Sequence, residues 1–113
     1  MEDYARFSTF FYPRSIAVIG VSPDKKNLGK NIVYNCLYFG YPGEVIPVGL
    51  SKGVAYGQRI HENIESIDRD IDLAVILTPA KTIPGILEAC GRKGIKHAVI
   101  LRLAFFLLRR RTA

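Results

Sequence analysis

Cysteine and histidine are scarce in this sequence of 113 residues, which contains two of each. Cys36 and Cys90 lie far apart, and each falls on the apolar face of a predicted helix. This placement argues against a disulfide or a metal-binding cysteine pair and predicts small buried thiols in a reduced, cytoplasmic setting. His61 and His97 precede or begin predicted strands, which favours surface or packing roles for both.

The patterns of several protein classes are also missing. The sequence has no RNA-binding aromatic motif, zinc-finger spacing or helix-turn-helix pattern. The net charge of +6 comes largely from four arginines at positions 102 and 109–111, and the remainder has 12 basic and 10 acidic residues, so nucleic acid is not an expected partner. No secretory signal is expected, and Arg102 interrupts an apolar stretch far shorter than the ~20 residues of a membrane span.

Short apolar runs alternate along the chain with segments of helical spacing. The predicted strands are residues 15–20, 44–48, 72–78 and 95–101. Two longer helices are predicted, one over residues 29–39 and one that starts near Pro84 and ends at Gly91 and Gly94. Shorter helical segments are predicted within the lead-in of residues 1–14 and, as a short helix or a single turn of one, at Ile60, Ile64 and Ile67. This alternation predicts an α/β fold with a Rossmann-like, doubly wound parallel sheet in three α/β/α layers. Pro47 favours a sheet edge for the second strand, and most aromatic residues of the lead-in are expected to pack on the domain.

The stretch from Ser15 to Gly29 combines a strand, a polar loop that begins at Gly20, and a helix start. Free backbone N–H groups and the helix dipole at such a position favour a bound phosphate, and Lys25 and Lys26 add positive charge. A plain strand-to-helix turn is the alternative. Ligands of parallel sheets bind at the carboxyl ends of the strands, so residues 49–52 and 78–80 are expected beside this loop.

The loop lacks the fingerprint of a dinucleotide-binding site. The middle glycine of G-x-G-x-x-G is absent from GVSPDKKNLG, and Lys52 rather than an acidic residue follows the second strand. This combination argues against NAD and favours a ligand that carries additional phosphate near its ribose.

Four ordered segments, FYPRSIAVIGVSP, YPGEVIPV, DLAVILTPA and CGRKGIKHAVIL, resemble the CoA-binding domain of NDP-forming acyl-CoA synthetases. The likeness is greatest to ADP-forming acetyl-CoA synthetases and more distant to the succinyl-CoA synthetase alpha subunit. It implies a domain over residues 1–101 that binds CoA or acyl-CoA and is not catalytic alone, because the phosphohistidine and ATP-grasp parts have no counterpart here. Ligase and ATP-grasp domains or subunits are the implied partners. The alternatives are a stand-alone CoA- or nucleotide-sensing module and an NAD(P)-binding oxidoreductase fragment.

The resemblance also assigns site residues. Those implied to contact CoA are Gly20, Ser22, Pro23, Lys25 or Lys26, Gly29, Lys52, Thr78 and Pro79. Lys52 would lie near the adenosine phosphates, and the others would line the turns after the first and third strands. No catalytic residue and no metal site are assigned, and Asp68, Asp70 and Asp72 are expected to form a solvated turn.

Residues 102–113 form an atypical apolar and basic tail. Related domains continue Ser-Ala-Gly-Phe after the fourth strand, and loss of one base from such codons would give Arg102-Leu103-Ala104. We therefore hypothesise a frameshift that truncates the sheet after its fourth strand, with a genuine terminal segment as the alternative; sequencing the locus would decide between them. Self-association through the fourth-strand edge and through Phe105 and Phe106 is a further prediction.

Overall fold

Four parallel strands form the central sheet of the computed structural model, which describes residues 2–24 and 26–101. The helices are α1 (Glu2–Phe11), α2 (Leu28–Tyr38) and α3 (Ile83–Lys93), and the strands are β1 (Ser15–Ile19), β2 (Glu44–Val48), β3 (Val54–Ala55), β4 (Gln58–Arg59), β5 (Leu73–Ile76) and β6 (His97–Ile100). The sheet order is β2-β1-β5-β6. The predictions for Lys25 and for residues 102–113 lie outside the described residues.

The carboxyl ends of the four strands are level with one another. Ile19 pairs with Val48 on one side and with Ile76 on the other, and Ile76 pairs with Ile100. The chain passes from β1 to β2 in one direction and then crosses to β5, so the strand order reverses between β1 and β5. This is the doubly wound topology that the sequence predicts, and its reversal point is where such sheets bind ligands.

Helical segments cover both faces of the sheet, which confirms the three-layer prediction. On one face Val18 of β1 packs with Val33 of α2. On the other face Ala17 and Ile19 pack with a cluster that includes Cys90 of α3. Both faces of the inner strands are therefore buried, which explains why these strands are apolar without alternation.

Pro47 lies in β2, which is an edge strand of this sheet. Its carbonyl accepts the backbone N–H of His61, on the side away from β1. The proline nitrogen therefore points to the same outer side. The hydrogen bonds between β1 and β2 do not use this side, so the missing N–H of proline costs none of them.

The region between β2 and β5 differs from the prediction. Residues 54–59 form a two-stranded hairpin whose turn residues Tyr56 and Gly57 both have positive φ, and only residues 64–66 form a 3₁₀ turn. Ile60 packs in the α2 layer, whereas Ile64 and Ile67 pack in the α3 layer. The prediction of a single turn is therefore confirmed at residues 64–66, whereas a helix through all three isoleucines is wrong, because their spacing reflects burial in two different layers.

The lead-in forms helix α1, but most of its aromatic residues are not in the core. Phe7 and Phe10 contact the ring of His97 at centroid distances of 6.2 and 5.7 Å. Phe11 and Tyr12 remain 67% and 71% exposed. The prediction of core packing is wrong for these two, because the contacts of α1 are with β6 at the edge of the described sheet. Of the two glycines predicted to end α3, Gly94 is confirmed as the residue that caps the helix after Lys93, whereas Gly91 lies within the helix.

Asp72 is not part of a solvated turn, which corrects the sequence prediction. Its carboxylate accepts hydrogen bonds from the Arg14 backbone N–H at 2.8 Å and from the Arg14 Nε at 2.9 Å, and its side chain is 11% exposed. The contact ties the chain before β1 to the start of β5. Hydrogen bonding to Arg14 lowers the pKa of Asp72.

We expect Asp72→Asn to destabilise the domain at pH 6 by about 1–2 kcal/mol, because the charge-assisted bonds are lost while the exposed Arg14 is well screened. The lowered pKa means that the wild-type stabilisation is present above the unfolded-state pKa of about 3.9 and disappears as pH falls through the folded-state value. Urea unfolding at pH 6, 4 and 2.5 should therefore show the two proteins converging at low pH. Asp68→Asn is the matched control, and an equal loss at every pH would contradict the assignment.

Candidate functional site

A cavity of about 530 Å³ opens at the carboxyl ends of β1, β2 and β5, beside the first half of α3. Its lining residues come from five segments: Ile19–Ser22, Val48–Ser51, Glu62–Ile64, Thr78 with Thr82, and Gly85, Ile86 and Ala89. The cavity lies at the point where the strand order reverses. The structure thus brings together the three loops that the sequence places at one edge of the sheet.

The loop after β1 is held closely against the end of β2. The backbone N–H groups of Gly20 and Val21 both donate to the carbonyl of Val48, at 2.9 and 3.0 Å. They are therefore not the free N–H groups that the sequence predicts at the start of this loop. Any phosphate contact from the loop must use later residues, nearer the start of α2.

The start of α2 lies directly against the end of β1. The Asn27 side chain donates to the Gly20 carbonyl at 3.1 Å and accepts the backbone N–H of Lys30 at 2.8 Å. A Cβ at Gly29 would lie 2.9 Å from the Gly20 carbonyl oxygen, so glycine permits this approach. Asn27 was missed as a positioning residue, although an asparagine before a helix is a recognised N-cap signal.

Lys30, in the first turn of α2, also contacts this loop, although the sequence analysis did not assign it to the site. The Lys30 ammonium donates to the Pro23 carbonyl at 3.0 Å and lies 5.3 Å from the centroid of the Tyr56 ring. The Lys30 contacts bring the loop after β1 together with the β3–β4 hairpin. The signal in the sequence would have been its position in the first turn of α2, immediately after Gly29.

The predicted site residues divide into two groups. Gly20, Ser22 and Thr78 line the cavity, whereas Pro23, Lys26, Gly29, Lys52 and Pro79 do not. Lys25 falls outside the described part of the chain. The lysines that the sequence analysis assigns to the site, as far as the structure describes them, therefore do not line the cavity.

Six of the sixteen residues that line the cavity carry a polar side chain: Ser22, Ser51, Glu62, Asn63, Thr78 and Thr82. The Thr78 and Thr82 hydroxyl oxygens lie 2.6 Å apart, and the side-chain oxygen Oδ1 of Asn63 accepts the backbone N–H of Ser66. Glu62 is the single charged residue among the lining residues of the described chain. Sequence reasoning missed it, because it follows the hairpin rather than a strand of the parallel sheet.

Glu62 lies at the site because the chain, after the β3–β4 hairpin, runs alongside β2 again. His61 forms a parallel bridge with Val48, in which its N–H donates to the Pro47 carbonyl and its carbonyl accepts the Gly49 N–H at 2.8 Å. Burial and the nearby Arg59 and Arg69 lower the pKa of His61.

The polarity of the cavity indicates what kind of ligand it suits. A mostly apolar cavity takes up an uncharged ring or chain, and a basic loop beside it suits the charged part of the same ligand. Within residues 2–24 and 26–101, no cluster of three metal-ligating side chains occurs. No described helix is long and apolar enough to cross a membrane.

Comparison with known proteins identifies matching sequences and folds. A family model described as "CoA binding domain" matches residues 14–105. The alpha subunit of acetate–CoA ligase [ADP-forming] I from Pyrococcus furiosus is 36% identical over 99 residues, which is 84% of this chain and 21% of that protein. Acetate–CoA ligase [ADP-forming] II from Archaeoglobus fulgidus is 38% identical over 95 residues, covering 84% of this chain and 14% of that protein.

Solved structures give the same result. The apo form of dinucleotide forming acetyl-coenzyme A synthetase 1 from Ca. Korarchaeum cryptofilum superimposes with a TM-score of 0.77 at 30% identity. The match covers 81% of this chain and 20% of that one. The chain thus spans about a fifth or less of the length of these relatives.

Proposed function

Because the chain belongs to the family of CoA binding domains, we propose that the cavity holds the adenosine end of CoA or acyl-CoA, with the pyrophosphate beside the loop after β1. One observation carries this proposal: the loops after β1, β2 and β5 meet at one apolar cavity, and the first of these loops has lysines in or beside it. The apolar walls suit the base. Lys26 and Lys30 lie in or beside the loop, where their charge favours phosphate.

The domain would act as the CoA-binding part of an ADP-forming acyl-CoA synthetase and would not be catalytic alone. This proposal is supported by relatives that are ADP-forming acetate–CoA ligases and that extend well beyond the matched segment. Ligase and ATP-grasp domains or subunits are the proposed partners. A cytoplasmic location is proposed as well, supported by the free thiols of Cys36 and Cys90.

Calorimetric titration of the full chain with CoA, dephospho-CoA and NADH tests the ligand. We expect CoA to bind at least about 10-fold more tightly than NADH, which is a difference of about 1.4 kcal/mol. Tight NADH binding without CoA binding would overturn the proposal in favour of an oxidoreductase fragment.

Lys52 is the proposed contact to the 3′-phosphate of CoA. It is exposed, and the described residues provide it with no hydrogen bond or ion pair. In the same titration, Lys52→Ala should reduce the preference for CoA over dephospho-CoA by about 5–10-fold, the loss of one charge-assisted contact. Lys96→Ala, which removes the same charge at the opposite edge of the sheet, should leave that preference unchanged.

A further inference from the structure

Glu62 is the one charged side chain on the cavity wall in the described part of the chain, and its charge is negative. Among the described residues its carboxylate makes no hydrogen bond or ion pair, unlike Glu44 and Glu65, which pair with Arg69 and Arg92. A site for a polyanionic ligand is thus lined by an acidic group whose acceptor oxygens are available.

The position of Glu62 is fixed by both of its neighbours. His61 is bridged to β2 through two backbone hydrogen bonds, at 2.8 and 2.9 Å. Asn63 caps the following 3₁₀ turn by accepting the Ser66 N–H at 2.8 Å. The backbone on either side of Glu62 is therefore held in place, so ligand binding at this residue needs no further ordering of its backbone.

The charges around the site are arranged with opposite signs. Lys30 holds the loop after β1, whereas Glu62 lies beside the end of β2. A phosphate is repelled by the carboxylate and attracted to the lysine side. A neutral group that carries N–H or O–H donors is favoured beside the carboxylate, because a charged acceptor strengthens the hydrogen bond.

We propose that Glu62 is a specificity-determining residue that accepts a hydrogen bond from a donor of the bound nucleoside and orients the ligand with its pyrophosphate towards the loop after β1. This inference rests on the proposed function, since it presumes that the cavity holds the adenosine of CoA. The donor chemistry is shared by the exocyclic amino group of adenine and the free 2′-hydroxyl of the ribose. Glu62 would thus supply, from the segment that follows the hairpin, the acidic residue that is absent directly after β2.

Calorimetry of the full chain tests the role of Glu62 with three ligands: CoA, its inosine analogue, in which a carbonyl replaces the 6-amino group, and its 2′-deoxy analogue. We expect Glu62→Gln to weaken CoA binding about 5–20-fold. The same substitution should have little effect on the analogue that lacks the interacting donor, which identifies that donor as amino or hydroxyl. Glu88→Gln on the exposed face of α3 is the matched control, and thermal melts verify that each variant is folded.

The outcomes separate this inference from the proposed function. If the wild-type chain fails to bind CoA, the proposed function fails. If the wild-type chain binds CoA but Glu62→Gln binds it equally or more tightly, the carboxylate is a bystander or a repulsive group, and only the role of Glu62 is overturned. An equal loss of affinity for all three ligands would also overturn it, because Glu62 would then accept a hydrogen bond from neither the amino group nor the hydroxyl group.

Discussion

Replacing Gly49 with alanine is expected to cost at least about 3 kcal/mol of folding free energy, the largest stability effect that a single methyl group should have in this domain. An added Cβ would overlap the Val21 carbonyl oxygen and lie 3.0 Å from the Val21 carbonyl carbon. The obstacle is backbone, so no change of rotamer relieves it. The loop after β1 would have to move away from β2, which would break the two hydrogen bonds that Gly20 and Val21 donate to Val48.

Urea unfolding measured by circular dichroism tests this expectation, with Gly91→Ala as the matched control. A Cβ at Gly91 meets no atom within 4 Å, and the residue lies inside α3. Alanine there should stabilise the domain by about 0.5–1 kcal/mol, because glycine is a poor helix former. If Gly49→Ala lost less than about 1 kcal/mol, the close approach of the two loops would be contradicted.

The parallel sheet could be predicted from the sequence because its strands are covered on both faces. Leu73–Ile76 is continuously apolar, and Pro47 marks the edge position that β2 occupies. When four such runs alternate with helices, the strands are parallel and the connections between them are right-handed. These two constraints allow only a few sheet topologies. The carboxyl ends then meet at one edge, which is why Gly20 and Thr78, each of which follows a strand, lie together at the cavity wall.

The electrostatics of the site could not be predicted in this way. The position of a lysine in a loop does not reveal where its ammonium group lies: Lys30 reaches back to Pro23, and Lys52 is not part of the cavity wall. Glu62 depends on a non-local bridge between His61 and Val48, which lie 13 positions apart. The Tyr56–Gly57 turn that permits this bridge carries a weak sequence signal, because tyrosine rarely adopts positive φ.

Gly85→Leu is expected to weaken CoA binding at least about 30-fold, equivalent to about 2 kcal/mol, without lowering the stability of the domain. Gly85 lines the cavity beside Ile86 and Ala89, and a Cβ placed on it meets no atom within 4 Å. A leucine side chain would therefore extend into the space that we assign to adenosine. Leucine also favours the helical conformation more than glycine does, and an apolar cavity accepts an apolar side chain readily.

The matched control is Gly91→Leu, the same substitution in the same helix, at an exposed position that does not line the cavity. Calorimetry with CoA should show wild-type affinity for Gly91→Leu and strongly reduced affinity for Gly85→Leu, while thermal melts show both variants folded. Wild-type affinity in Gly85→Leu would mean that CoA binds elsewhere on the domain. Equal losses in both variants would point instead to a general disturbance of α3, and they would contradict the assignment of CoA to the cavity.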